Sequence, residues 1–438
     1  MKTTYRWLTL ASLVVTAAVV AATSLGGTRS APSGSITVWV DAVRLPVAQL
    51  YAKTHPSVHV HIVSYDGDGN GATTMQTKIS LWNRTGSGWP DVVFSDQAND
   101  PVWMAQKPFD FAMNLNGVFP ANLLKGWPAA SIAQCTVNGQ LVCLQDNLAQ
   151  EVLYVNKKLM AKFGYQVPTT WQQWAALGQK VATQHPGYII GNIGDSYGAW
   201  LYLWADQCPI SQVTAPNTVR INASDVHCTR MANLLDPLIK SGVVPAQTVF
   251  SADFAKQYGG ANDKILLMPG PTWYAQSIFS GSLHVPAGQL TAALPLRWGS
   301  EPIVTGQVGG GPWIISKHTQ NQAAALDFVE WATTSPQVKS SSVGPLSPGY
   351  PSYAPEAAQW LKSLDKNPYF AAPEGPAFSA AANLIWKGWS MVTYQDQPVW
   401  SNTVITGLLA GKTLTSLLPA LGQGLAQNAQ AAGYKVVQ

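Results

Sequence analysis

The chain has 438 residues, 47% hydrophobic and only 11% charged, against roughly 25% charged in ordinary soluble domains. That length exceeds one compact core and predicts two lobes or domains, and the apolar content excludes a disordered chain. The 26 Lys and Arg outnumber the 22 Asp and Glu, but Lys2, Arg6 and Arg29 fall in an acid-free stretch of 33 residues, leaving 23 bases against 22 acids and no field for nucleic acid.

In chain order the first element is a leader, residues 1–33. Lys2 and Arg6 form a basic start, 8–25 is uncharged and mostly apolar, and 26–34 is small and polar. This is the pattern of an export signal. The apolar run is long for a signal, so an uncleaved N-terminal anchor stays open beside cleavage. The run has no neighbouring Cys to carry a lipid, and no later segment approaches the roughly 20 apolar residues of a membrane span. The expected location is outside the cytoplasm, in the periplasm or on the extracellular face of the membrane.

Ile36-Thr-Val-Trp-Val40 alternates and is β-branched, which predicts a strand with Trp39 in the core. Residues 43–53 have helical spacing, 58–63 read as a second strand, 73–82 as a helix after the Gly/Asp/Asn loop 66–71, and 91–94 as a third strand. Strand–helix–strand–helix–strand order predicts parallel pairing in an α/β lobe. The four cysteines, Cys135, Cys143, Cys208 and Cys228, lie in the exported part, where an even count suggests two disulfides. Three connectivities exist. Cys135–Cys143 and Cys208–Cys228 are favoured because each closes a short local loop, the first a hairpin around Asn138-Gly139. No CxxC spacing is present, so no metal is expected.

A second lobe is predicted after that hairpin. Residues 152–155 read as a strand, Asn156 opens a short helix, and Thr170 with Gln173 fits a capping box. Residues 265–268 form a predicted strand followed by a helix over 272–279. The triple glycine 309–311 feeds another strand, 319–335 is a helix, and from 354 onward the chain reads as mainly helical.

These pieces together resemble the extracellular solute-binding proteins of bacterial ABC importers, within them the carbohydrate-binding, maltose-binding-protein-like group. The likeness spans nearly the whole chain after the leader, in order. Ile36-Thr-Val-Trp-Val40 resembles the family's first strand, and Pro90-Asp-Val-Val-Phe-Ser-Asp96 its Pro-Asp strand. Val152-Leu-Tyr-Val-Asn-Lys-Lys-Leu159 with Pro168-Thr-Thr-Trp171 is the most specific stretch. Met268-Pro-Gly-Pro-Thr-Trp273, Gly309-Gly-Gly-Pro-Trp313 and Gly411-Lys-Thr-Leu-Thr-Ser416 complete the set, the last lacking the family's Ala. The resemblance implies an α/β, two-lobed periplasmic-binding-protein-like fold with hinge strands and a cleft between the lobes. It puts crossings near 146–150, 306–309 and 343–351, lobe 1 at 34–146 plus 307–343, and lobe 2 at 147–306 plus 344–438. It further implies a receptor that delivers a sugar or oligosaccharide to permease subunits, works as a monomer, and needs no cofactor.

The residues support that reading independently. A sugar ring offers an apolar CH face and equatorial hydroxyls, which suit indole platforms and Asp, Asn or Gln partners, and the chain holds 18 Trp, 15 Tyr and 11 Phe. Ligands in open α/β lobes sit off the carboxyl ends of strands. The expected contacts are therefore Asp41, Asp96 and Gln97 after strands, Asn147 and Gln150 at the first crossing, and Tyr197 and Trp200 after a Gly loop. Trp273 in a Gly/Pro turn, Gly310 and Trp313 at the triple glycine, and Trp386 complete the set. Each has a structural alternative: Asp41 and Asp96 as helix caps, and Trp386 with Trp389 as a packing pair on one helical face.

Other chemistries compete. Gly194-Asp-Ser-Tyr-Gly198 matches a nucleophile elbow, so a secreted serine hydrolase with Ser196 and one of His227, His284 or His318 is the rival class. A glycosidase needs a carboxylate pair, and acids are sparse. His59 and His61 share one strand face and suggest a polar edge more than a metal. Residues 407–413 fall one short of a phosphate loop and lie between helices. Two Asn sequons, at Asn83 and Asn222, carry little meaning in a bacterial export context. A cationic solute would want more cleft acids, and a phosphorylated one would want Arg44 or Arg297.

Overall fold

The computed structural model describes residues 32–69, 74–339, 349–366, 369–371 and 374–438. The leader therefore lies outside the described residues, as does most of the third expected crossing.

The first lobe rests on a five-stranded sheet. Strand β1 (Gly34–Val40) pairs in parallel with β2 (Val58–Ser64) and with β3 (Val92–Phe94). Pro312–Ile315 then runs antiparallel beside β3, and Leu144–Gln145 closes the far edge. Ile36, Val38 and Val40 point to the core with the period of two that pleating imposes. Trp39, expected in the core, faces the other way. It is half-buried at the margin, edge-on to Trp82 at 5.5 Å, with Lys78 above its ring. Helix α1 (Leu45–Thr54), helix α2 (Thr74–Thr85) and the helix Gln322–Thr334 supply the apolar cover, and Phe94, Trp313 and Phe328 interlock beneath it.

The second lobe is built on Glu151–Asn156, a strand with all six residues buried. Leu267–Pro271 and Leu290–Ala293 flank it, both antiparallel. Its continuous apolar run without alternation is what burial on both faces demands. The predicted caps are present. The Asn156 side chain accepts from Leu159 N at 3.0 Å, and Thr170 Oγ accepts from Gln173 N at 3.1 Å. The return arm of the box is shifted, because Gln173 Oε1 accepts from Thr169 N instead of from Thr170. Trp174, Trp200, Trp204 and Trp400 fill this core, and burying a large apolar side chain contributes about 1.5–3 kcal/mol. Most of the indole wealth is thus core.

Both favoured disulfides are present, Cys135–Cys143 beside a two-residue turn at Asn138-Gly139 and Cys208–Cys228 tying a helix N-terminus to the loop before it. Between the sheets, Asn147–Leu148 pairs antiparallel with Tyr350–Pro351, and Gln150 bridges Gln307. Strands from three distant parts of the sequence therefore meet in one layer. The expected helix at 272–279 forms as a wider-turn helix over Ala275–Ser282. The helical reading after 354 fails over 383–396, where Gly388 lies under the Trp386 ring and the backbone is irregular.

Candidate ligand-binding cleft

A cleft of about 310 Å³ opens at the carboxyl ends of β1 and β3, beside the glycine run 309–311. Such a volume suits a small ligand, at the lower end of the usual range of about 300–1,000 Å³. Asp41, Asp96, Asn147, Tyr197, Trp273 and Gly310 line it, together with Val43, Arg44, Gly69, Phe250, Ser277, Gly309 and Gly311.

Arg44 organises the polar wall. Its backbone N–H donates to Asp41 Oδ1 at 2.8 Å, so Asp41 closes the turn that enters α1. Its guanidinium donates from Nη1 to Asp41 Oδ2 at 3.1 Å and to Asp96 Oδ1 at 3.3 Å, and from Nη2 to Asn147 Oδ1 at 3.2 Å. Nε lies 3.8 Å from Asp146 Oδ2, and the plane sits 4.1 Å above the Phe94 ring. Burial pulls the guanidinium downward, but the surrounding carboxylates Asp41, Asp96 and Asp146 outweigh it and raise the group above its ordinary value. Asp96 is pushed upward, first by burial and then by Asp41, Asp100 and Asp66, while Arg44 opposes. Its side chain keeps 28% exposure and is the accessible acid of the wall. Gly67, at positive φ, is required here, because a methyl group would collide with Asp96 Oδ2.

Much of the remaining lining is aromatic. Trp273 follows the strand Leu267–Pro271, and its Nε1 donates to Val308 O at 2.7 Å, which fixes the ring. Phe250 lies nearly parallel to it, with centroids 6.2 Å apart and planes at 17°, and is 48% exposed. The Tyr197 hydroxyl donates to Gly69 O and accepts from Gln97 Nε2 at 2.6 Å. Burial, then Asp195 and Asp96, hold that phenol well above its ordinary range, so it stays neutral. Gly310 needs its positive φ, and a side chain there would strike Gln307 and Gln145.

Five expected contacts lie elsewhere. Gln97 is buried behind the wall, where it braces Tyr197 and accepts from Gln397 Nε2 at 2.8 Å. Gln150 is buried in the crossing and donates to Phe378 O. Trp200 is a core residue bonded to Asp396 Oδ2 at 2.6 Å. Trp313 points into the first core between Phe94 and Phe328. Trp386 lines a separate groove of about 620 Å³ beside the stacked Trp204–Trp389 pair. Sequence reasoning missed Phe250 altogether, and it treated Arg44 only as a candidate for an anionic ligand.

The nucleophile elbow has packing explanations. Gly194 abuts the backbone of Ala246 and Gln247, and Gly198 abuts the Trp400 ring. Ser196 Oγ donates to Asp195 at 3.5 Å. His227 stands by Asp206, His284 by Ser280 O, and His318 stacks on Trp89. Among the described residues no histidine is brought to Ser196, so the hydrolase reading finds no support. His59 and His61 are exposed on β2, at the edge of its sheet.

Residues 34–339 match the family model for bacterial extracellular solute-binding proteins. A protein of Deinococcus radiodurans described as a probable ABC transporter-binding protein is 24% identical over 263 residues, covering 58% of this chain and 60% of that one. The chain thus matches about 60% of that relative's length. The ABC transporter associated binding protein of B. animalis subsp. lactis Bl-04, solved with beta-1,6-galactobiose, superposes with a TM-score of 0.77 at 17% identity, covering 93% of this chain and 100% of that one. The galacto-N-biose-/lacto-N-biose I-binding protein of Bifidobacterium longum, solved with lacto-N-biose, does so with a TM-score of 0.76 at 14% identity and the same coverage. These likenesses show the fold: two α/β lobes about a ligand cleft.

Proposed function

This chain belongs to the bacterial extracellular solute-binding proteins, and on that premise we propose that it is an exported receptor delivering a sugar or oligosaccharide to the permease of an ABC importer. The observation that carries the reading is the mixed lining of the cleft, where the aromatic residues Trp273, Phe250 and Tyr197 stand with carboxyl and amide groups at Asp41, Asp96 and Asn147. Apolar faces suit the CH side of a pyranose, and the carboxyl and amide oxygens accept from its hydroxyls. The similar structures from Bifidobacterium hold disaccharides, which supports the same ligand class here.

The lobes would comprise 34–146 with 307–343 and 147–306 with 344–438, hinged where Asn147–Leu148, Gln150, Gln307 and Tyr350–Pro351 meet. Closure is a shift of population toward the state that grips the ligand, and the closed monomer is the form the permease would recognise. The receptor changes nothing covalently and requires no cofactor. Residues 1–33 would direct export, either removed or kept as an anchor.

Thermal melting of the protein against a panel of mono- and oligosaccharides tests this. A ligand at about 100 times its Kd adds about 2.7 kcal/mol to the folded state and raises Tm. A rise with amino acids, polyamines or sugar phosphates, and with no neutral or amine-bearing sugar, would refute the carbohydrate assignment.

A further inference from the structure

Resting on the carbohydrate reading above, we propose that the cleft selects sugars bearing a protonated amine over their neutral and anionic counterparts. The charge arrangement of the wall carries this. Asp41 and Asp96 line the cleft, and the one basic lining residue among those described is Arg44. Its terminal nitrogens already serve Asp41, Asp96 and Asn147. Behind it Asp146 lies 3.8 Å from Arg44 Nε and 3.5 Å from the Lys339 ammonium. Among the described residues this connected set holds three carboxyls against two cations, and burial, with Asp41, Asp100 and Asp66, pushes Asp96 up to about 7, so that near neutral pH the wall takes up a proton there unless another cation faces it. The tyrosines nearby, Tyr65 and Tyr197, remain neutral.

The cavity then decides which charge fits. An anionic sugar would meet Asp96, and the guanidinium charge of Arg44 is already shared among Asp41, Asp96 and Asp146. A hydroxyl would donate to Asp96 but leave the negative excess uncompensated in a partly desolvated site. An ammonium donates up to three hydrogen bonds, supplies the missing charge, and finds the rings of Trp273 and Phe250 in the same cleft for cation–π contact.

Titration calorimetry on the full chain decides the matter, using gluco- and galacto-configured disaccharides in matched sets that differ at one substituent: amine, hydroxyl, N-acetyl or carboxylate. Near pH 7.5, above the value of about 7 to which burial pushes Asp96, its carboxylate is ionised while part of the amine is still protonated, and the amine member should bind about tenfold tighter than the hydroxyl member. N-acetylation should abolish the advantage from the ligand side, and Asp96→Asn should abolish it from the protein side. Binding with no amine preference, a preference for the carboxylate, or a ratio that survives Asp96→Asn overturns the proposal and leaves the carbohydrate reading intact. Failure of every set to bind overturns both.

Discussion

The two walls of the cleft are held by different physics. The wall at the ends of β1 and β3 is a closed electrostatic net, in which Arg44 ties Asp41, Asp96 and Asn147 together and none of the four is free to turn. The wall formed by Trp273, Phe250 and Tyr197 is held by packing and a few hydrogen bonds, Trp273 Nε1 to Val308 O and the Tyr197 hydroxyl to Gly69 O and Gln97, with Phe250 the exposed ring and Tyr197 the buried one. The net sets orientation and selectivity, because it is directional and expensive to rearrange. The rings supply affinity that tolerates many rings of similar shape.

Removing the centre of the net should give the largest effect. Arg44→Met leaves the buried Asp41 and the half-buried Asp96 side by side without their cation. Breaking such a pair costs roughly 3–5 kcal/mol, so the variant should melt several degrees lower and lose ligand binding beyond about a hundredfold. Melting curves and calorimetry read both. A variant with native Tm and native affinity would mean that the net is decoration and that the walls do not differ as described.

The aromatic wall should respond otherwise. Trp273→Ala should weaken sugar binding by about 10- to 100-fold, in the range of hot-spot truncations, with a smaller change in Tm than Arg44→Met because the ring is only half-buried. Trp273→Phe should recover part of the loss. A drop in Tm matching that of Arg44→Met, with affinity preserved, would reassign the ring to packing.

The sequence revealed the order of β1–α1–β2–α2–β3 because alternation and helical spacing are local signals, and it revealed Asp41 and Asp96 because they follow strands directly. It could not reveal which of the adjacent glycine-run residues face ligand. Gly310 lines the cleft while Trp313, three residues on, points into the core, and only the pairing of Pro312–Ile315 with β3 fixes that parity. Gln150 likewise sits in a crossing buried on both faces. The place of Arg44 at the centre of the net was not legible because its partners Asp96 and Asn147 lie 52 and 103 residues away, beyond any spacing rule. Phe250 is an exposed aromatic in a loop with no periodicity to flag it. Trp386 and Trp389 have helical spacing but no helix, since the Trp386 ring lies on Gly388.

Glu374 sharpens the comparison from outside the cleft, with the smallest expected effect. It is an acid buried as deeply as Asp41, yet both its oxygens lack a hydrogen-bond partner among the described residues and no cation faces it. Burial, aided by Asp365, pushes it up to about 9 from an ordinary value of 4.5. A raised carboxyl binds its proton more tightly in the folded state than in the unfolded one. Its contribution is therefore intact below the ordinary value and is lost as pH rises from there toward about 9. Glu374→Gln removes the titration while keeping the shape. The variant should match the native protein at about pH 5 and melt about 2–5 °C higher at about pH 9. Equal pH profiles for Glu374→Gln and the native chain would show that an unpaired carboxyl is tolerated here without its proton, and pairing would then not be what permits charge in the cleft wall.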